Sequence, residues 1–481
     1  MPYTDLRDWI DTLRKDGELV DVSHPVDWNL EIGAITRRVY DTLAPAPLFT
    51  NIKDYPGHRI LAAPIGLSAR NRYARIALAL DLPPAASLQS ITEEYLRRRK
   101  TPVPPKIVSR APCQENVFTG EDIDLFKLPV PFQHEGDGGR YIGTWHSNIS
   151  KDPSTGWVNY GMYRLMVHDR NHMGGIVAHV QHFNQHLTAH RERNQRMEFA
   201  VAIGTEPVTA LMSATNLPEY ISEADVVGGL RGEPLDLVRC KTVDLFVPAT
   251  SEIIIEGYLD PDELRDEGPF GEYTGYLASG KGPRPLYRVT AVTHRDDPIL
   301  TMSCMGVPID DSAVIMPITE AAEIYRELKE GYGFPIRFVY MPPAGVTHLV
   351  VVSTKVPDTT YVNRLAMALW STKAGRIHCN SLIVVNDDID ITDMQQVIWA
   401  WTTRMHPIRG IWQVPNTFVS ALLPWPTPEE RAKRHGGRVL FDATWPADWP
   451  ADWVPKVSSF EAAWPRNIQQ QVLDQWKTYG F

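Results

Sequence analysis

Apolar residues near the start of the chain recur at Leu6, Trp9, Ile10 and Leu13, the spacing of one helical face, with Thr4 placed to cap that helix and Gly17 to end it. A mixed, proline-rich stretch runs from there to about residue 115. From Thr144 the period shortens to two: Val158, Tyr160 and Met162 alternate, and Leu165 and Val167 continue. The polar turn Asp169-Arg170-Asn171 follows, with Ile176, Val177 and Val180 as the return run. This pattern predicts a long β-hairpin. Strands are also predicted at 200–203, 243–247, 252–258 and 286–292, so the middle third reads as a barrel or a strongly twisted sheet.

After Met305 a helical face through Ala321, Ile324 and Leu328 to Gly331 leads into apolar strands at 336–340, 348–352 and 382–385. Helical patterns with one face at Val362, Leu365, Ala366 and Leu369, and again over 394–404, alternate with them, which predicts an α/β domain. The tract WPADWPADW at 445–453 is interrupted by prolines and predicts an ordered aromatic loop. A last amphipathic helix starts at Pro465, carries Ile468, Val472, Trp476 and Tyr479, and stops at Gly480. It can dock on its own body or on a neighbouring subunit.

The length of 481 residues argues for two to four domains, and 43% hydrophobic with 22% charged residues argues for packed cores. A net charge of −10 without any basic run disfavours a nucleic-acid or anionic-membrane surface. No run approaches the roughly 18 apolar residues of a transmembrane helix, and the acidic start is unlike a signal peptide, so the expected location is cytoplasmic. Cys113, Cys240, Cys304 and Cys379 are scattered, which argues against disulfides and thiolate zinc sites. A small-molecule site is favoured by elimination.

The hairpin carries the densest chemistry. A turn centred between Arg170 and Asn171 sets Asn159 opposite His182, and a carboxamide oxygen beside an imidazole suits a divalent cation, with Glu223 a candidate third ligand. The plainer reading is a histidine satisfied at a strand end. His182, His186 and His190 recur at i+4 as a zinc-binding face would, but the last two lead into a charged run and read as solvated. DEGPFGEY sets Glu267 and Glu272 in a glycine- and proline-rich loop, either an exposed acidic turn or a pair of carboxylates dividing acid and base roles. Arg164, amid the apolar residues of a half-buried strand, requires a partner such as a substrate carboxylate or a loop glutamate. Asn159 and Arg164 face opposite sides of an unbroken strand, so a shared site requires a twist or bulge, for which Gly161 is the place. Lys373, in STKAGR, can meet a phosphate, although neither a Walker motif nor a GxGxxG after a strand is present.

The runs WVNYGMYRLMVHDRNHMGGIVAHVQH, SEADVVGG, VPATSEIIIEGYL, EGPFGEYTGY and KAGRIH, with NDDID and WAWTTR, closely resemble the UbiD family of prenylated-FMN-dependent decarboxylases, in family order. The resemblance implies an α+β and α/β multidomain fold. It divides into an N-terminal mixed α/β region (1–115), a split β-barrel that binds prenylated FMN (116–305), a linking helix (306–332), an α/β oligomerisation domain (333–455) and a C-terminal helix (456–481). It implies that Asn159, His182 and Glu223 hold a divalent metal, usually Mn2+, with K+ beside it near Ser213, Ala214 and Thr215. Met162, Tyr163, Arg164, Gln181, His182 and Lys373 would line the modified flavin, and Glu267, Arg164 and Glu272 would form the catalytic network. The implied reaction is reversible, non-oxidative decarboxylation of an aromatic or heteroaromatic acid through a covalent adduct with the cofactor, CO2 loss and protonation by Glu272. A flavin prenyltransferase would supply the cofactor, and a homodimer or homohexamer is expected. Alternatives are decarboxylation of cinnamic-type acrylic acids, an FMN-dependent oxidoreductase, and a metal-binding scaffold with a vestigial site. Ala313, Val314, Ile315 and Met316, with Phe418, Leu422 and Leu423, offer an apolar pocket wall without arginine or histidine, which predicts a flat monocarboxylate substrate.

Overall fold

The computed structural model describes residues 3–178, 180–277 and 280–481. The first apolar face forms the helix Leu6–Asp16, burying Leu6, Trp9, Ile10 and Leu13, and Gly17 ends it at φ 74°. Asp5, not Thr4, is the cap: its carboxylate accepts from the amides of Arg7 and Asp8, and a negative charge there also complements the helix dipole. The helix packs on a sheet of Leu19–Val22, Ala46–Phe49, Arg59–Ala62 and Ile299–Met302, so a strand from late in the middle third completes the N-terminal layer.

The middle third is organised by a nine-stranded antiparallel sheet among the described residues. Its order is Tyr141–Gly143, Leu165–Asp169, His172–Gly175, Gly282–His294, Ile253–Glu267, Met197–Ile203, His146–Lys151 and Val158–Gly161, with Asn116–Thr119 paired to Gly282–His294. Val158–Gly161 is the last strand at one end, while Leu165–Asp169 is next to last at the other. Only Met162, Tyr163 and Arg164 join them, a reach of no more than about 14 Å, so the sheet has to curl until its ends approach. The result is a curled half-barrel. Its strands are apolar on both faces because they serve two cores: Ala200, Ala202 and Ile254 face one, Val201, Ile203, Ile253 and Ile255 the other.

The long hairpin is shorter than the sequence predicts. The turn is where expected, with Asp169 paired to His172, but the hairpin spans only Leu165–Asp169 and His172–Gly175. Val158–Gly161 pairs instead with His146–Lys151. Ile176, Val177 and Val180 lie outside strands, and His182 opens the helix His182–Glu192. The break falls at Gly161, where a Cβ would lie 2.2 Å from the Tyr163 hydroxyl. The strand predicted at 243–247 is confined to Phe246–Pro248.

The linking helix Ser312–Arg326 leads to a five-stranded sheet ordered Ile336–Tyr340, Leu349–Thr354, Ser381–Asn386, His435–Ala443 and Ile411–Phe418. Its three inner strands are parallel and the outer two antiparallel, with Tyr361–Ser371 and Met394–Arg404 as the predicted helices. The aromatic tract at 445–453 is a loop in which Trp449 meets both Trp445 and Trp453, with ring centroids 5.8 and 6.2 Å apart. The last helix, Arg466–Asp474, buries none of its residues, so it does not dock on its own body. Among the described residues no helix is long and apolar enough to cross a membrane.

Candidate active site

A cleft of about 1320 Å³, its open mouth included, lies between the half-barrel and the C-terminal domain. The three residues that bridge the curled sheet form its floor. Tyr163 is pinned there because its carbonyl accepts from Asn148 Nδ2 at 2.9 Å and lies 2.9 Å from His146 Nε2.

Arg164 leaves this bridge as a buried guanidinium. Its Nε and Nη2 each donate to one oxygen of Glu267 at 2.9 Å, and Nη1 donates to Glu272. Glu267 is the last residue of the strand Ile253–Glu267 rather than a loop residue, and Gly268 at φ 88° turns the chain so that Glu272 returns to the same guanidinium. The Gly271 amide donates to Asp137 Oδ1 at 2.9 Å, and Asp137 Oδ2 lies 3.0 Å from His134 Nδ1, which fixes that return. Tyr141 donates to Glu267 Oε1 at 2.8 Å, and Arg164 stands over the Phe270 ring at 5.3 Å. Both glutamates are buried, so the exposed acidic turn is ruled out. Burial pushes the Glu272 carboxyl above the usual carboxylate range despite the attraction of Arg164. Burial alone would weaken Arg164's hold on its proton, but the two carboxylates raise it above its ordinary value.

At the other end of the cleft, His182 Nδ1 lies 3.0 Å from Asn159 Oδ1, and Lys373 Nζ touches the His182 ring and donates to the Leu217 carbonyl at 2.9 Å. The expected meeting of Asn159 and His182 is real, but a helix start brings it about, not cross-strand pairing. Glu223 does not line the cleft; its buried Oε2 accepts from the Tyr160 amide at 3.0 Å. Burial pushes Glu223 up to about 8, and burial lowers Lys373 to about 8 and, together with Lys373, lowers His182 to about 3. Among the described residues no three His, Cys, Asp or Glu side chains are assembled to hold a metal. His186 is not solvated: it is buried, with Nδ1 2.9 Å from Ser150 Oγ and its ring against Trp157.

Met162, Tyr163, Gln181, Ser213, Ala214, Thr215, Met316 and Leu422 also line the cleft. Ala313, Val314 and Ile315 do not; Val314 and Ile315 belong to the core, and Leu423 too is turned away. Several lining groups escape the sequence reading: Tyr273, Asn216, His378 and Arg434. Behind them Glu320 accepts from Asn216 N and Nδ2 at 2.8 and 2.7 Å, and burial pushes it up to about 7. An acid on the apolar face of ITEAAE was its signal. Arg434 sits in a charged stretch that reads as surface, and no local pattern singles it out.

Three family descriptions match in order: 3-octaprenyl-4-hydroxybenzoate carboxy-lyase N-terminal domain at residues 10–95, Rift-related domain at 106–308 and C-terminal domain at 313–443. The chain is 37% identical to pyrrole-2-carboxylic acid decarboxylase of Pseudomonas aeruginosa, covering 99% of this chain and 98% of that one. It is 33% identical to ferulic acid decarboxylase 1 of Saccharomyces cerevisiae, covering 100% and 99%. The closed form of vanillic acid decarboxylase from Sedimentibacter hydroxybenzoicus superposes with TM-score 0.89 at 29% identity, over 100% of this chain and 99% of that one. An evolved dimeric UbiD-class HmfF from Pelotomaculum thermopropionicum, solved with prenylated FMN, superposes at 0.79 and 27% identity, over 94% and 97%. Full-length similarity and a buried Arg164 between two glutamates agree: the chain belongs to the UbiD family of carboxy-lyases.

Proposed function

We propose that this protein decarboxylates an aromatic or heteroaromatic carboxylic acid, reversibly and without net oxidation, using prenylated FMN held by the half-barrel as in a split-barrel flavoprotein. The observation that carries this reading is the buried Arg164 held between Glu267 and Glu272 in the wall of an open cleft. When bound, the modified flavin supplies the electron sink that loss of CO2 from an sp2 carbon demands.

The cleft residues fit such a group. Among the described residues Asn159 Nδ2 is buried without a hydrogen-bond partner, Lys373 is a half-buried cation with no hydrogen-bonded carboxylate, and Glu223 is a buried carboxylate near enough to influence it. A flavin phosphate would take the Asn159 Nδ2 hydrogens and the Lys373 ammonium, a divalent cation such as Mn2+ would be held by Asn159 Oδ1, His182 and Glu223, and K+ would sit near Ser213, Ala214 and Thr215. Met162, Tyr163 and Gln181 would hold the ring system. Arg164 orients the departing carboxylate. Glu267 holds Arg164 in place and balances its charge. Glu272, whose hold on a proton burial strengthens, would deliver a proton to the substrate carbon that has lost CO2.

The similarity to ferulic acid decarboxylase 1 favours one second reading, a cinnamic-type acrylic acid as substrate. We assign the five segments named above to the same division of labour, with a cytoplasmic homo-oligomer supplied by a flavin prenyltransferase. The test is CO2 release from a panel of ring and acrylic acids by protein prepared with and without that prenyltransferase. Turnover only with the prenylated cofactor is expected, and equal turnover with plain FMN would refute the reading.

A further inference from the structure

The apolar wall expected to exclude a second charge is interrupted. Arg434 lines the same cleft as Arg164 and Glu272, beside Phe418, Ser420 and Leu422. Its guanidinium makes no hydrogen bond or ion pair among the described residues, although neighbouring Arg431 and Lys433 bond to the Pro424 carbonyl and to Glu429. Burial and the nearby charge of Arg284 both work against its protonation, and the Arg284 guanidinium donates to the Pro283 carbonyl. The backbone around it is anchored: the Val419 amide donates to the Arg434 carbonyl at 3.1 Å, and Thr274 Oγ1 donates to the Leu422 carbonyl at 2.9 Å. That second bond ties this wall to the loop that carries Glu272. Arg164, also in the lining, is already occupied by two carboxylates, so the Arg164 cluster does not itself attract a second anion. A half-buried guanidinium without a counterion in the wall of an open cleft is placed to take one from a ligand.

We infer that Arg434 receives a second carboxylate on the substrate ring, so that this chain acts on a ring dicarboxylate. The inference rests on the decarboxylase reading and narrows its substrate class. It is tested with benzene-1,4-dicarboxylate and naphthalene-2,6-dicarboxylate, each against its monoamide, which keeps the shape and removes one charge. Wild type loaded with prenylated FMN should favour at least one diacid over its monoamide by roughly ten- to a hundredfold in kcat/KM, the range for one charge-assisted hydrogen bond. Arg434→Met should cost that diacid most of this preference and its monoamide far less, and Arg434→Lys should restore part of it. Dissociation constants measured by calorimetry in Glu272→Gln protein should show the same order. No preference in wild type would overturn the inference. So would an equal loss for both ligands in Arg434→Met, which marks a role in steering the reacting carboxylate, or a loss of flavin absorbance, which marks a cofactor contact. If no acid released CO2, the decarboxylase reading would fail, and the dissociation constants would still decide the role of Arg434.

Discussion

At one end of the cleft each charge has its counterpart within the chain: Arg164 is gripped by Glu267 on two sides and by Glu272 on a third, with Tyr141 completing Glu267. At the other end Lys373 is pressed against the His182 ring, Asn159 Nδ2 has no hydrogen-bond partner among the described residues, and Glu223 is buried with its Oε2 on a backbone amide. The first end is preorganised, so its geometry costs no rearrangement when charge develops. The second is satisfied only when something binds, because buried polar groups without partners are expensive. One cleft therefore joins an end whose charges are paired within the chain to an end that carries unpartnered polar groups among the described residues.

Removing the cation from the finished end should have the largest effect. Arg164→Met strands two carboxylates in a buried site and should cost about 3–5 kcal/mol of stability, measured by urea unfolding. The loss should shrink as pH falls, because protonating either acid removes the uncompensated charge. A loss below about 1 kcal/mol would show that the cluster is wetter than its burial implies.

Glu272→Gln keeps the shape and removes the proton. Turnover should fall by more than about 100-fold with flavin absorbance retained. In the unaltered enzyme kcat should decline as pH rises through the raised pKa of Glu272, since the acid form is the competent one. A limb placed at the ordinary carboxylate range, or one that persists in the Gln variant, would remove Glu272 from the proton-donor role.

Changes at the open end should act on occupancy first. The double variant His182→Ala, Glu223→Ala should remain folded and lose bound manganese and flavin, read by elemental analysis and absorbance. Full metal content in that protein would separate these residues from any metal. The smallest effect is expected from Tyr141→Phe, which deletes one hydrogen bond to Glu267 and should cost about 1 kcal/mol with activity within roughly tenfold.

Local patterns revealed much of this. The period of the apolar residues located the helices Leu6–Asp16, Tyr361–Ser371 and Met394–Arg404 and the strand Ile336–Tyr340, because each buries a face that its own sequence spacing defines. Ordered motifs brought out Arg164, Glu267, Glu272, Asn159, His182 and Lys373 as one group. The Asn159 and His182 pairing was expected for the wrong reason, since alternation cannot tell a strand that continues from one that breaks at Gly161 into a different partner.

By itself, then, the sequence determined most of the element types, the family and the group of candidate site residues, since these depend on residue type and short-range spacing. The tertiary structure decided what is buried and what is paired. The closure of a sheet through Met162, Tyr163 and Arg164 placed Arg164 against the end of a strand more than a hundred residues away. Tertiary packing also turned His186 inward, kept Glu223 behind the cleft wall, and brought Arg434 from the C-terminal domain into the cleft lining. Each of these outcomes depends on long-range packing, and on which charges find a partner once water is excluded, and neither is written in the spacing of any local segment.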